Sequence, residues 1–583
     1  MPEPALMKRA VSTDDRTSAR RVVLIAAAVA VLASPTWLWP GELWVFPPVS
    51  VVFTLVVAAI VAAWGRPPPR RDVALGLAAI AAGAAVAALV GLAAYRFVGA
   101  VLLNPADPAR GDMLTVIELA GRRFLRGGDP YGTYQVPWQV NLPYGPPLWA
   151  PYLLPQLLRS DLRLLTAIGQ LFVPICCGAM AILEAARARL LSAAAWLLLL
   201  ATLVFDPDLL RFVIVGHTPA YWPLLPLFTI LIAGEKWNAA AAVLGVLVAA
   251  RSTMAAVVPV FLITLWLRGR SRALTAGLVW AAVVAAILLP FFLWDPAAMW
   301  RGMITNYVQV IKEIVWPSSD LGAVRTVGLT GWLLSHHLER FVELSQACAL
   351  ALVYLITWRA VRGGAGALPY MGLALFAFSM TTVWPVYYVH FDVVLLLVSA
   401  AIAETMVETA SAMKWRTVIV AWPMTVACAV ALVAIAVRTL ASPLPTVIVD
   451  RTAGQPLFRQ GFSGVEDDGA RSFRWIEAAH AVVVLPRSSA SAADLVVTGQ
   501  PFVPAGAAPQ AMSAVLNGTS LGTLRAGGGW QTFRFQAPAS AWRIGANQLD
   551  LDFPPTQSPK ELGLSKDPRH LAMAIQRIDV QAR

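Results

Sequence analysis

The sequence predicts a polytopic α-helical membrane protein that carries a β-sandwich domain in its C-terminal part. Two properties of the composition support this class: 58% of the 583 residues are hydrophobic and only 13% are charged, whereas soluble domains carry about 25% charged residues. The mean hydropathy of +0.65 agrees with it. The third observation is a change of pattern near residue 440, where long apolar runs give way to short alternating ones.

About thirteen apolar runs have the length or composition of membrane spans, although several fall short of the roughly 20 residues that a span needs. They lie near 22–40, 44–64, 73–103, 164–186, 190–206, 217–234, 237–250, 253–268, 273–294, 341–361, 368–385, 390–406 and 416–440. The pair 237–250 and 253–268 is typical of two half-helices that meet at Arg251-Ser252. We therefore divide the chain into an N-terminal part with two extra spans (1–72), a membrane core (73–440) and a tail (441–583).

Basic residues recur in alternate loops, among them 65–71, 268–272 and 359–362. By the positive-inside rule these loops face the cytoplasm. The N-terminus is then cytoplasmic, while the first large loop (residues 104–163) and the tail lie outside the plasma (inner) membrane. The net charge of +12 is explained by this topology, and no basic stripe with interleaved aromatic residues predicts a nucleic-acid partner.

The tail alternates apolar and polar residues in short runs separated by Gly, Pro, Asn and Ser, which is typical of an antiparallel sandwich. Asn517-Gly518 stands between two such runs and predicts a two-residue hairpin turn. We expect seven residues to supply part of the core or of a sugar-facing surface: Phe473, Trp475, Val483, Val515, Trp530, Phe533 and Leu549.

Titratable residues of both signs fall at one predicted face of the membrane. Asp112 and Asp129 lie in the first large loop, and His217, Arg251, His390 and Asp392 lie at the same ends of later spans. Ionisable residues at such positions indicate a functional site.

Structural explanations stay open for most of these residues. Asp112 could cap the helix predicted at 113–126, Asp129-Pro130-Tyr131 is a plausible turn, and Arg251 could extend its charge to the membrane surface. The two histidines could be satisfied interfacial residues. A zinc site needs three or four ligands at suitable spacing, which the sequence does not offer.

Several motifs follow one another in a specific order. Asp112 precedes an amphipathic stretch, GGDPY (127–131) and YGPPLWAPYLLP (144–155), and further on come the stretch 215–262 and VHFDVVLLL (389–397). Over roughly 73–410 the chain resembles glycosyltransferase family 87, GT-C membrane enzymes that use polyprenyl-phosphate sugars, typically mannose. It departs from the family pattern at His217, at Pro219 and at Arg251, which stand where Gln, Asn and Lys are usual, and these departures put the mannose specificity in doubt.

The resemblance implies an inverting transfer of a sugar from a polyprenyl-phosphate donor to a glycolipid or glycan acceptor. Asp112 would be the catalytic general base, and Arg251 would hold the donor phosphate with help from His390 or His217. The resemblance further implies substrate contacts for Asp129, Tyr131 and Tyr144 in the same loop. It implies no resident cofactor, and a divalent metal is allowed but not indicated.

Two other functions are compatible with parts of the pattern. A transporter or flippase of lipid-linked sugars would share the spans and would suit the broken pair at Arg251, but it needs access from both sides and no matching polar cluster is visible on the inner side. A plain membrane anchor that presents the sandwich needs only one span. By analogy with the tails of some GT-C enzymes, the sandwich is expected to bind carbohydrate.

Overall fold

The computed structural model describes residues 72–104, 106, 111–136, 138–187, 189–316, 328–384, 389–412, 447–448 and 457–583, the last range without 488, 505 and 555, together with Leu24, Ile25 and Ala28. The predicted spans 44–64 and 416–440, and nearly all of 22–40, lie outside the described residues.

The described part of the membrane core is helical. Its α-helices are α1 Asp72–Leu103, α2 Met113–Leu125, α3 Pro146–Trp149, α4 Leu153–Leu157, α5 Arg163–Ala186, α6 Leu190–Phe205, α7 Pro207–Val215, α8 Leu224–Ala233, α9 Trp237–Ala250, α10 Val257–Arg268, α11 Arg270–Trp294, α12 Pro296–Trp300, α13 Gly328–Ser335, α14 Val342–Arg362, α15 Leu368–Thr381 and α16 Val389–Ala412. A π-helix, Arg301–Val315, follows α12. A short hairpin of β1 (Thr133–Val136) and β2 (Trp138–Asn141) lies in the first large loop.

Four of the described helices are long and apolar enough to cross a membrane: Ile80–Leu102, Arg163–Ala186, Arg270–Trp294 and Glu339–Arg362. The expected number of about thirteen spans is not reproduced among the described residues. Length accounts for part of the difference: α8 has 10 residues and α9 has 14, so they rise only about 15 and 21 Å, less than the roughly 30 Å of a bilayer core.

The break at Arg251 is confirmed. Helix α9 ends at Ala250, Arg251 is extended with φ −143° and ψ 112°, and a 3₁₀ turn at Ser252–Ala256 leads into α10. The first large loop reaches this break at Gly145, where a Cβ atom would lie 1.6 Å from the carbonyl oxygen of Ala249. Only glycine permits so close an approach of the two backbones.

The tail is an all-β unit, as predicted. Its strands are β3 Val447–Ile448, β4 Phe458–Gln460, β5 Glu466–Asp467, β6 Ser472–Trp475, β7 His480–Arg487, β8 Ala493–Pro501, β9 Gln510–Leu516, β10 Thr519–Ala526, β11 Gln531–Ala537, β12 Gly545–Asp552 and β13 Met573–Ala582. One antiparallel sheet has the order β10-β9-β12-β7-β4 and the other β11-β8-β13-β6-β5, with β3 pairing β13. Side chains from both sheets share one hydrophobic core.

The predicted tail residues divide between this core and the surface. Val483, Phe533 and Leu549 are buried in the core. Phe473, Trp475, Val515 and Trp530 are partly exposed. The hairpin at Asn517-Gly518 is confirmed, because both residues have positive φ (49° and 80°) as a type I′ turn between β9 and β10 requires.

The sandwich contacts the membrane core through both ends of the first large loop. At one end, Arg459 donates from Nη2 to Oδ1 of Asn104 over 2.8 Å. At the other, the backbone N–H of Asp161 donates to the carbonyl of Ile544 over 2.7 Å. Buried Arg163 connects the two ends, since its Nη2 lies 2.6 Å from both Asp161 Oδ2 and the carbonyl oxygen of Asn104. No pattern in the sequence indicated this junction.

Candidate functional site

The centre of the candidate site is the carboxylate of Asp392, which is 1% exposed in the first turn of α16. Its Oδ1 accepts hydrogen bonds from the Tyr221 hydroxyl and from Nε1 of Trp222, the latter over 3.2 Å. Its Oδ2 lies 3.0 Å from Nε of Arg251. A carboxylate this deeply buried needs such donors, because burial without them is strongly unfavourable.

Three separate parts of the chain supply this cluster. Arg251 sits at the break between α9 and the 3₁₀ turn, where the extended backbone turns its side chain out of the helical path. Tyr221 and Trp222 lie in the turn between α7 and α8. The guanidinium carbon of Arg251 also lies 5.9 Å from the centre of the Tyr221 ring, within cation–π distance. The cluster therefore fixes the arginine from two directions.

Arg251 lines a cavity of about 250 Å³. The polar part of its wall includes Arg251, Tyr144, Thr253 and Gln346, and the apolar part includes Met303 and Trp384. A cation set in a mostly apolar wall suits an amphiphile with an anionic group, because the guanidinium can bind the anion through paired hydrogen bonds while the apolar wall contacts a hydrocarbon.

Asp112 occupies the N-cap position of α2, with φ −81° and ψ −18°, but its side chain makes no capping hydrogen bond. Capping by the side chain therefore does not explain this residue. Its neighbour Gly111 packs against the end of α7, where a Cβ atom would lie 2.4 Å from the carbonyl oxygen of Val215. Asp112 is thus placed beside the turn that begins at Gly216, and it is not part of the wall of the Arg251 cavity.

His217 and His390 are both 1% exposed and neither lines the Arg251 cavity. The ring of His217 lies 5.0 Å from Phe212 and 5.5 Å from Trp222. Its carbonyl accepts a hydrogen bond of 2.6 Å from the Thr166 hydroxyl. His217 therefore packs against the Trp222 side of the Asp392 cluster.

The three remaining candidates lie in the first large loop. Asp129 accepts a hydrogen bond of 3.0 Å from the backbone N–H of Tyr131, which confirms its place in a turn. The Tyr131 ring is 1% exposed, and burial raises the pKa of its hydroxyl. That hydroxyl donates to the carbonyl of Tyr144 over 3.0 Å. Tyr131 thus reaches the cavity only through Tyr144, whereas Tyr144 lines it.

The sequence placed Asp392 at the outer end of its predicted span without indicating a role for it, and it did not indicate Tyr221 or Trp222 as site residues. The signal was present, because the stretches GHTPAYW (216–222) and VYYVHFD (386–392) each end on a residue of the cluster. The sequence analysis instead proposed His217 and His390, which lie in the same two stretches, because histidine is the rarer residue type. Within the part of the chain that the structure describes, no group of three or more His, Cys, Asp or Glu residues could hold a metal ion.

Comparisons with known proteins give no further assignment: no family model, no curated protein and no solved structure matches this chain.

Proposed function

We propose that the protein is a membrane glycosyltransferase that moves a sugar, mannose or a related hexose, from a polyprenyl phosphate to a glycolipid or glycan acceptor with inversion. The observation that carries the proposal is the Arg251 guanidinium, held by buried Asp392 in the wall of a mostly apolar cavity. The order of the family-87-like motifs supports it.

In this proposal the cavity receives the head of the donor. Arg251 binds the phosphate, whose charge grows as it becomes the leaving group, and the contact is strengthened where water is excluded. Met303 and Trp384 contact the first part of the prenyl chain. Asp392 does not touch the donor but positions the guanidinium, with Tyr221 and Trp222 holding the carboxylate in turn.

Asp112 is the proposed general base. It takes the proton from an acceptor hydroxyl as that oxygen attacks the anomeric carbon. The bond between the anomeric carbon and the phosphate oxygen breaks, and polyprenyl phosphate leaves with the electron pair. The place of Asp112 beside the turn that carries Trp222 supports a role next to the donor site.

The proposal includes a topology. About thirteen spans cross the plasma membrane, the N-terminus is cytoplasmic, and the first large loop and the sandwich lie outside. The alternation of basic loops along the sequence supports this orientation. The exposed apolar surface of α11 supports a location within a membrane, because Leu274, Leu278 and Leu293 are 62%, 72% and 70% exposed.

We extend the proposal to carbohydrate binding by the sandwich. Four partly exposed aromatic rings form a chain: Trp530 lies 5.8 Å from Phe473, which lies 6.1 Å from Trp475, which lies 6.3 Å from Phe502. The guanidinium of Arg471 is 5.0 Å from the centre of the Trp530 ring. Amphipathic aromatic surfaces with a nearby hydrogen-bond donor suit the alternating apolar and hydroxyl faces of a sugar.

The test is to incubate purified full-length protein with radiolabelled polyprenyl-phosphate sugars and candidate glycolipid acceptors. Transfer of label to the acceptor is the expected result. The broken helix at Arg251 also suits a transporter, so the same donors are offered to the protein in liposomes. Movement of labelled lipid across the membrane without any transfer would favour the transporter over the enzyme.

A further inference from the structure

A second cavity, of about 470 Å³, lies between the first turns of α9 and α11. Its polar lining comprises Lys236, Asn238, Ser271, Arg272 and Thr275, and Trp237 forms part of its wall. No residue of this lining belongs to the Arg251 cavity. The proposed glycosyl transfer makes no use of it.

The cavity is electropositive. Glu235 is the only acidic residue of its described lining, and its carboxylate is paired with Nη1 of Arg268 over 3.0 Å. The guanidinium of Arg268 also lies 4.8 Å from the centre of the Trp237 ring. Lys236 and Arg272 therefore leave the lining with a net positive charge. Hydroxyl and amide groups beside them can donate further hydrogen bonds to an anion.

An apolar, exposed surface begins directly beside these cations. Leu274 and Leu278, on the second and third turns of α11, are 62% and 72% exposed, and α11 is long enough to cross a membrane. Trp266 at the end of α10 is 41% exposed, with the Arg270 guanidinium 5.1 Å from its ring. Tryptophan and arginine together are typical of the level of lipid headgroups. The cavity is thus cationic where headgroups lie and is continuous with a hydrocarbon-compatible surface.

We propose that this cavity binds the phosphate headgroup of an anionic glycerophospholipid, whose acyl chains lie along the exposed face of α11. Lys236 and Arg272 contact the phosphate, and Ser271 and Asn238 hydrogen-bond to it or to the headgroup hydroxyls. Basic cavities between membrane helices recognise lipid headgroups in this way. A soluble phosphate offers the same charge but would leave the apolar surface without a partner, which is why we assign a lipid.

The test uses full-length protein in a neutral detergent and counts bound lipid by native mass spectrometry after addition of phosphatidylglycerol or phosphatidylcholine. We expect retention of phosphatidylglycerol but not of phosphatidylcholine. The K236Q/R272Q variant should bind phosphatidylglycerol about tenfold more weakly. The control R359Q/R362Q removes the same two charges from the exposed end of α14 and should bind as the unmodified protein does.

Equal retention of both lipids, or equal losses in the two double variants, would overturn the proposal. Inorganic pyrophosphate is the third arm: if it displaces phosphatidylglycerol completely at equal concentration, the site recognises a free anion and the lipid assignment fails. Thermal unfolding without added lipid checks the fold of each variant. Should K236Q/R272Q unfold early, the single variant Lys236→Gln, at an exposed residue, repeats the comparison. Retention of phosphatidylglycerol unchanged in that variant also counts against the proposal.

Discussion

Asp392 holds the other residues of the candidate site in place. Its two oxygens engage a tyrosine hydroxyl, an indole N–H and a guanidinium, so the carboxylate joins the α7–α8 turn to the helix break. Removing one member of a buried ion pair costs more than the pair contributes, because the other charge stays buried without compensation. The position of Arg251 therefore depends strongly on this carboxylate.

Replacing Asp392 by Asn should raise the donor KM at least about tenfold with a smaller change in kcat, because the guanidinium loses its counter-charge and its orientation but the reacting groups stay. Steady-state kinetics with varied donor measures both constants. Asp129→Asn is the matched control. The amide can accept the same hydrogen bond from the Tyr131 N–H, and its kinetics should stay near those of the unmodified protein. A donor KM unchanged in Asp392→Asn would show that Arg251 is held by other contacts.

Asp112→Asn should keep the protein folded and inserted but abolish transfer, because an amide cannot take the acceptor's proton. The expected loss is about 10²–10⁴ in kcat. No side-chain capping bond is removed, and thermal unfolding measures whether the variant keeps its fold. Arg251→Ala is the informative comparison, since it should mainly weaken donor use. Turnover near that of the unmodified protein in Asp112→Asn would place the general base elsewhere and would remove the central residue of the family resemblance.

At the scale of elements, sequence patterns predicted the features that depend only on neighbouring residues. The helix break at Arg251 follows from two short apolar runs in succession, and the Asn517-Gly518 turn follows from the positive φ that both residues accept. The Asp392 cluster and the junction at Ile544 were not predictable in this way. They join residues far apart in the sequence, and such contacts produce no periodic pattern along the chain.

The sandwich should lose stability in acid through its Arg569 cluster. Hydrogen bonds from the Arg569 guanidinium hold the pKa of Asp567 below its usual range, and Glu466 and Glu477 contact the same guanidinium. Because the pKa of Asp567 is lower in the folded than in the unfolded state, this stabilisation is fully present above the unfolded pKa of about 4. It disappears as the pH falls through the folded pKa.

Thermal unfolding of the 441–583 fragment between pH 6 and pH 2 measures this effect. Arg569→Gln should lower the melting temperature at pH 6 and reduce its decline below pH 4. Some decline should remain, because Arg583 and Arg534 lower the pKa of Asp494 similarly. Arg525→Gln, at an exposed position on β10, should leave the whole profile unchanged. Parallel profiles for Arg569→Gln and the unmodified fragment would exclude the cluster as the source.

The aromatic chain on the sandwich gives a second prediction at this scale. The 441–583 fragment should be soluble and β-rich, and it should bind a neutral polysaccharide weakly. Replacing Trp475 and Trp530 by Ala should reduce retardation in a gel that contains the polysaccharide, because both rings are partly exposed. Trp542→Phe alters a tryptophan that is 2% exposed in the core and should not change the retardation. A fragment that folds but is never retarded would keep the fold and remove the carbohydrate proposal.

At the scale of the whole molecule, composition predicted the division into a helical membrane part and an all-β tail. The number of about thirteen spans stays a prediction, because hydropathy identifies apolar runs without their ends and only four described helices are long enough to span. Pro219 and Pro223 interrupt the predicted span 217–234, so only Leu224–Ala233 is helical. An interior between packed helices can be as apolar as lipid, and short buried helices therefore resemble spans in sequence.

Deleting the sandwich should loosen the first large loop while leaving the long helices intact. The deletion removes the bonds to Asn104 and Asp161, and the freed segment gains conformational entropy. Hydrogen exchange should rise across 104–163 and stay unchanged in α11, which lies outside the junction. A loop that exchanges equally slowly in the truncated protein would show that the membrane part alone orders it.

The junction also has a consequence for the order in which the protein matures. The loop that carries Asp112 leaves the ribosome several hundred residues before Ile544, yet one of its end contacts is made by Ile544 itself. The loop of the proposed catalytic apparatus is thus completed by a segment that is synthesised much later. A nascent or prematurely terminated chain lacks the contact between Asp161 and Ile544, so this end of the loop is closed only after the sandwich has been made.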